Sequence, residues 1–129
     1  MKKILYVHDD QTNPSDRAGA LEEAGFEVIL QQDARRCLAL IQRENPDLVV
    51  SDVLIHGMTG FQFLFELRTL LPASKLPFIL CSGIYRGAAY QEEASRLGAD
   101  AYLLQPFTPQ DLVRTVRKTL DSDDKPQAA

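Results

Sequence analysis

Five short apolar runs, at residues 4–7, 26–30, 48–51, 77–81 and 101–104, alternate with five segments of helical period, and that alternation leaves few folds open to 129 residues. Each boundary carries its own punctuation. Asn13-Pro14-Ser15-Asp16 offers an N-cap, a proline at the first helical position and an acid in the first turn, and Gly25 closes that helix. Asp33 caps a second helix whose Ala34, Cys37, Leu38 and Ile41 follow the i, i+3, i+4, i+7 rule, and Asn45-Pro46 ends it. Residues 60–71 and, more weakly, 88–97 before Gly98 are helical. Thr108-Pro109-Gln110-Asp111 starts the last helix, with Leu112, Val113, Val116 and Leu120 facing inward. Residues 1–120 form one domain, and the polar residues 121–129 read as a flexible tail or the stub of a linker.

Strands that are apolar almost throughout, each followed by a helix, imply a parallel sheet covered on both faces. Right-handed crossovers then favour an α/β, doubly wound, flavodoxin-like sandwich of five strands in the order 2-1-3-4-5. Ligands of such sheets bind at the carboxyl ends of the strands. Asp52 ends the run Asp47-Leu48-Val49-Val50-Ser51 and passes into the loop Ile55-His56-Gly57-Met58-Thr59-Gly60, so its carboxylate is placed for chemistry in a crevice. The strand order brings the ends of strands one, three and four together. Asp9 and Asp10, Asp52, and Ser82 are therefore expected to converge.

A net charge of −4 and a pI near 5.1, with Lys and Arg scattered, give no electrostatic footprint for nucleic acid. After Met1-Lys2-Lys3 only four apolar residues precede His8-Asp9-Asp10, too few for a signal peptide, and no stretch approaches the roughly 20 apolar residues of a membrane span. A cytoplasmic chain is expected, with Cys37 and Cys81 as reduced core thiols.

From Lys2 to about Leu120 the constellation resembles the receiver domain of bacterial two-component response regulators. That family carries an acidic pair after strand one, a phosphoacceptor aspartate after strand three, a Thr or Ser after strand four and a Lys-Pro after strand five. Asp9 matches the second acid of the pair, Asp52 the phosphoacceptor and Ser82 the hydroxyl, while Gln105-Pro106-Phe107 stands where Lys-Pro-Phe is usual. Gly57-Met58, Gly60 and Gly98-Ala99-Asp100-Ala101-Tyr102 match as well. The resemblance implies phosphoryl transfer to Asp52 from a sensor histidine kinase or phosphotransfer protein and a downstream protein target. It also implies Mg²⁺ held by Asp9, Asp52 and the carbonyl of Leu54, with His8 and Asp10 as further candidate ligands, a switch through Ser82 and Tyr102, and a cis Gln105-Pro106 bond. Leu54 and Ile84 fall where the family tunes attack of water on the aspartyl phosphate; both are apolar, which implies a long-lived phosphoryl group. The reading is a signalling module, stand-alone or excised and without its own output or DNA-binding domain, rather than an enzyme. A flavodoxin-type cofactor binder is disfavoured, because no Gly- or Ser/Thr-rich phosphate loop follows the first strand.

Three departures fall within one small crevice. His8 takes the slot of the first acid, leaving Asp10 as an optional third acidic position; Gln105 replaces the lysine; His56 replaces a common proline. An imidazole at position 8 weakens the Mg²⁺ site, and a glutamine hydrogen-bonds without supplying charge. Two further readings therefore stand beside phosphoryl transfer. One is a phosphorylation-independent pseudo-receiver that acts as a protein docking module. The other uses His8 and His56, both expected to face the Asp9 and Asp52 crevice, to bind Zn²⁺ or a similar ion.

In the segment 60–71, Phe61, Phe63, Leu64, Phe65, Leu67, Leu70 and Leu71 spread wider than the ~100° stripe of a one-sided helix. Either the helix is deeply sunk or its outer edge docks onto another molecule. A homodimer through residues 60–71, or through the 88–120 face with Tyr90, Tyr102 and Arg114, is the matching expectation.

Overall fold

A computed structural model of the chain describes residues 1–9, 11 and 13–124, the last three by backbone alone. Asp10 and the terminal residues 125–129, on which expectations also fell, lie outside the described residues. In chain order the elements are β1 (Lys3–Val7), α1 (Ser15–Glu23), β2 (Glu27–Gln31), α2 (Ala34–Glu44), β3 (Leu48–Asp52), α3 (Gly60–Leu70), β4 (Phe78–Ser82), α4 (Ala88–Leu97), β5 (Ala101–Leu104) and α5 (Pro109–Asp124). All strand pairs are parallel, in the order β2-β1-β3-β4-β5, as the sequence implies.

Side chains alternate across a strand, so each central strand feeds two cores. Leu5, Val7, Val49, Phe78 and Leu80 face α2 and α3, meeting Cys37, Ile41, Phe63, Leu64 and Leu67. Ile4, Tyr6, Leu48, Val50, Ile79 and Cys81 face the other way, onto Leu21 of α1 and Leu112, Val116 and Leu120 of α5. Phe63 and Phe78 meet edge to face with centroids 5.6 Å apart, and burial of each ring contributes roughly 2–3 kcal/mol. β1, β3 and β4 are buried from end to end apart from Lys3, whereas the edge strands β2 and β5 are half-exposed.

The punctuation largely holds. Asp33 accepts from the Arg35 N–H, and Asn45 closes α2 in the left-handed region at φ 49°. Thr108 and Asp111 form a reciprocal pair at the start of α5, each side chain accepting from the other's N–H. Thr59 and Gln62 do the same for α3, a box the sequence reading did not name. Helix α1 begins at Ser15, one residue later than expected, with Asn13 Oδ1 accepting from the Ser15 N–H at 3.0 Å. Helix α5 runs on to Asp124 rather than ending near residue 120, so part of the expected tail is helical backbone.

Helix α3 answers its two alternatives in part. Phe63, Leu64 and Leu67 are buried, which accounts for most of the wide apolar face, but Phe65 and Leu70 stay more than half exposed. Its first residue fixes its approach: a Cβ on Gly60 would stand 2.5 Å from the carbonyl oxygen of Asp52 and 3.0 Å from Cα of Val53. Only a glycine lets the helix start this close to the end of β3. That contact sets the position of the loop after Asp52.

Candidate functional site

Asp52 is the last residue of β3 and is 4% exposed. It sits beside the end of β1, and the Asp9 N–H donates to its Oδ2 at 3.0 Å. Asp9 itself turns Oδ1 to the Gln11 N–H, also at 3.0 Å. From the other neighbour, Ser82 ends β4, and Gln105 follows β5 with its N–H bonded to the Ser82 carbonyl at 2.9 Å. These side chains share one cavity of about 130 Å³, lined by Asp9, Asp52, Leu54, Ser82, Gly83 and Gln105 among others. The expected convergence of positions 9, 52 and 82 is thus observed. Leu54 and Ile84 stand exposed among its lining residues.

The hydroxyl side of the cavity is internally bonded. Ser82 Oγ accepts from the N–H groups of Ile84 (3.2 Å) and Tyr85 (2.9 Å), shaping the loop into α4. Tyr102 donates its phenol to the Tyr85 carbonyl at 2.6 Å, and its ring lies among Phe61, Tyr85 and the α3 core. Burial raises the Tyr102 phenol, and Tyr102 is joined to Ser82 through Tyr85, whose N–H donates to Ser82 Oγ and whose carbonyl accepts from the phenol. The Gln105 side chain lies across Gly83, where an added Cβ would meet Gln105 Oε1 at 3.0 Å. The Gln105-Pro106 bond is cis, as the resemblance implied, and Arg86 donates to the Gln105 carbonyl.

One functional side chain was missed. Arg17, on α1, has only 16% of its side chain exposed and places Nη1 3.9 Å from Asp52 Oδ1. The same Nη1 donates to the Tyr6 hydroxyl at 2.9 Å, and the guanidinium lies 4.3 Å above the centre of the Phe107 ring. Asp52 Oδ1 has no hydrogen-bond partner among the described residues. A signal for Arg17 was present in the sequence: it precedes the apolar Leu21 by four residues and so shares the inner face of α1, where a charge requires a partner. Burial pushes the Asp52 carboxyl up; the Asp9 N–H, Arg17 and His8 oppose this, and the Asp9 carboxylate adds to it. Burial also raises the Tyr6 phenol strongly, with the Asp52 charge as the second cause.

The histidines do not face this cavity. His8 is 6% exposed, with Nδ1 3.1 Å from the Asp9 carbonyl and its ring edge-on to Tyr6. Its N–H continues the ladder to the Gln31 carbonyl at 2.8 Å, and the His56 N–H bonds the Gln32 carbonyl at 3.2 Å. Both are therefore held over the β2–α2 loop, where they line a separate depression with Asp33 and Arg36. The expectation that they aim at Asp9 and Asp52 is corrected on this point, and among the described residues no cluster of three or more His, Cys, Asp or Glu is set to hold a metal ion. Asp9, Asp52 and Leu54, by contrast, do line one cavity. Two carboxylates, one of them with a buried oxygen that no donor among the described residues reaches, and a carbonyl-bearing loop residue are hard oxygen groups of the kind that suits Mg²⁺.

A sequence profile of the response regulator receiver domain matches residues 4–117. The chain belongs to the response regulator receiver domain family. Its fold agrees with the crystal structure of a CheY-like receiver domain protein from Methanospirillum hungatei, with a TM-score of 0.85 and 30% identity over 96% of this chain and 97% of that one. A probable transcriptional regulator, ycf27, of Cyanophora paradoxa is 32% identical over 97% of this chain. This chain spans about half of that relative, 51% of its length. An uncharacterised 14.6 kDa protein of Leptolyngbya boryana is 34% identical over 89% of this chain and is itself covered over 87% of its length. Among the described residues no helix is long and apolar enough to cross a membrane.

Proposed function

We propose that this receiver domain accepts a phosphoryl group on Asp52 from a sensor histidine kinase or phosphotransfer protein and relays the change to a downstream protein target. The observation that carries this is the gathering of Asp9, Asp52 and Ser82 around one open cavity, with Asp52 Oδ1 lacking a hydrogen-bond donor among the described residues. In the transfer the N–P bond of a phosphohistidine breaks as a carboxylate oxygen of Asp52 bonds to phosphorus, and the freed imidazole takes a proton from solvent. Asp9, Asp52 and the Leu54 carbonyl would hold Mg²⁺, which when bound offsets charge on the phosphoryl oxygens. Asp9 also orients the acceptor through its N–H, and exposed Leu54 and Ile84 crowd the mouth, which disfavours approach of a hydrolytic water. Output is assigned to the α4–β5–α5 face, where Tyr90 and Arg114 are exposed and Tyr102 is linked to Ser82 through the backbone of Tyr85. A chain of net charge −4 suits a protein target there better than nucleic acid.

The docking-module reading draws on a different observation: Ser82 Oγ is already engaged by two loop N–H groups, and Gln105 brings no charge. Treatment with acetyl phosphate and Mg²⁺, read by intact mass and Phos-tag gels, separates the two. The expected result is a single adduct lost in Asp52→Asn; no adduct at saturating Mg²⁺, with output unchanged by Asp52→Asn in cells, would establish the docking module instead.

A further inference from the structure

The segment that lacks the lysine, Gln105-Pro106-Phe107, supplies the ring on which Arg17 rests. Three contacts fix the guanidinium: the Phe107 face at 4.3 Å, the Tyr6 hydroxyl at 2.9 Å and Asp52 Oδ1 at 3.9 Å. A planar guanidinium can lie on the ring while its edge donates to the hydroxyl and faces the carboxylate, a spread of contacts that a compact ammonium matches less well, so this cradle suits arginine. Its charge is directed at a buried carboxylate oxygen that no N–H or O–H among the described residues reaches. Arg17 is not among the residues that line the cavity, so it reaches the carboxylate from behind and leaves the open side to a phosphodonor.

We propose that Arg17 is a positioning residue that supplies Asp52, from the α1 side, with the positive charge that position 105 no longer carries. The inference rests on the phosphoacceptor reading of Asp52. It has a consequence that simple packing would not: Arg17 and Mg²⁺ draw on the same carboxylate, so they oppose one another in binding while both favour the phosphorylated state. Removing the arginine leaves Asp52 more negative towards a divalent cation yet deprives the phosphoaspartate of a counter-charge.

The test compares the full chain with Arg17→Gln, Arg17→Lys and the double variant Arg17→Gln/Gln105→Lys. Phosphoryl uptake from acetyl phosphate is followed by intact mass, Mg²⁺ affinity by NMR titration and folding by circular dichroism. Arg17→Gln should take up phosphoryl on the order of tenfold more slowly while binding Mg²⁺ severalfold more tightly. Arg17→Lys should fall between, and Gln105→Lys in the Arg17→Gln background should restore uptake. Uptake at the wild-type rate in Arg17→Gln, weakened Mg²⁺ binding, or a double variant that folds without recovering uptake would each overturn the proposal. Loss of folding in both Arg17→Gln and the double variant would overturn it too, since the arginine would then be a structural strut. A wild-type chain that takes up no phosphoryl refutes the phosphoacceptor reading alone, and the Mg²⁺ arm then decides the role of Arg17 by itself.

Discussion

The two walls of the Asp52 cavity are built by different means. On the β1–β3 side the parts are backbone and buried charge: the Asp9 N–H holds Oδ2, the start of α3 presses against the Asp52 carbonyl, and Arg17 stands behind Oδ1. On the β4–β5 side the parts are side chains: Ser82 caps its own loop, and an uncharged glutamine lies over Gly83. The first wall is continuous with the core of the sheet, so altering its backbone contacts disturbs the fold. The second can change identity, as the replacement of lysine by Gln105 illustrates, while the strands beneath it keep their pairing. The departures from the family pattern that line the cavity are accordingly confined to the second wall.

The contrast is sharpest at the two glycines. Gly60→Ala puts a Cβ 2.5 Å from the Asp52 carbonyl and 2.8 Å from Leu80, neither of which can yield without moving β3 or the core. A loss of about 2–3 kcal/mol is expected in urea unfolding; a loss under about 0.5 kcal/mol would mean that this wall is far softer than described. Next in size is Tyr6→Phe, which takes from Arg17 the acceptor of a charge-assisted hydrogen bond at 2.9 Å. It should cost roughly 1.5 kcal/mol by the same measurement, and an unchanged midpoint would show that the arginine is held by Asp52 and Phe107 alone. Smallest is Gly83→Ala, whose Cβ meets only the far end of Gln105 at 3.0 Å. Because that amide can swing aside, the change should stay within about 0.5 kcal/mol. Its trace would be a shifted Gln105 side-chain amide resonance, and a large destabilisation would erase the distinction between the walls.

Much of the site was legible in the sequence because parallel strands make position predictable. Once strands one, three and four are known to be neighbours, residues that follow them must meet, and Asp9, Asp52 and Ser82 do. The histidines misled because sequence proximity to the crevice does not say which neighbour a loop binds: His8 stays on the ladder to Gln31 and His56 is tied to Gln32, and both line a separate depression rather than the Asp52 cavity. Arg17 went unread for a related reason. Helical spacing puts it on the inner face of α1, but its reach to Asp52 depends on how α1 rolls against β1 and on where Phe107 comes to rest.

Periodicity, turn chemistry and capping residues act over a few residues, which is why the sequence by itself determined five strands, five helices, their order in the sheet and the acidic crevice at its edge. The sharing of one carboxylate between Arg17, the Asp9 N–H and an open cavity was decided only by tertiary structure. Those contacts join residues 35 to 90 positions apart, and their energies depend on ångström distances and local burial that no local pattern encodes.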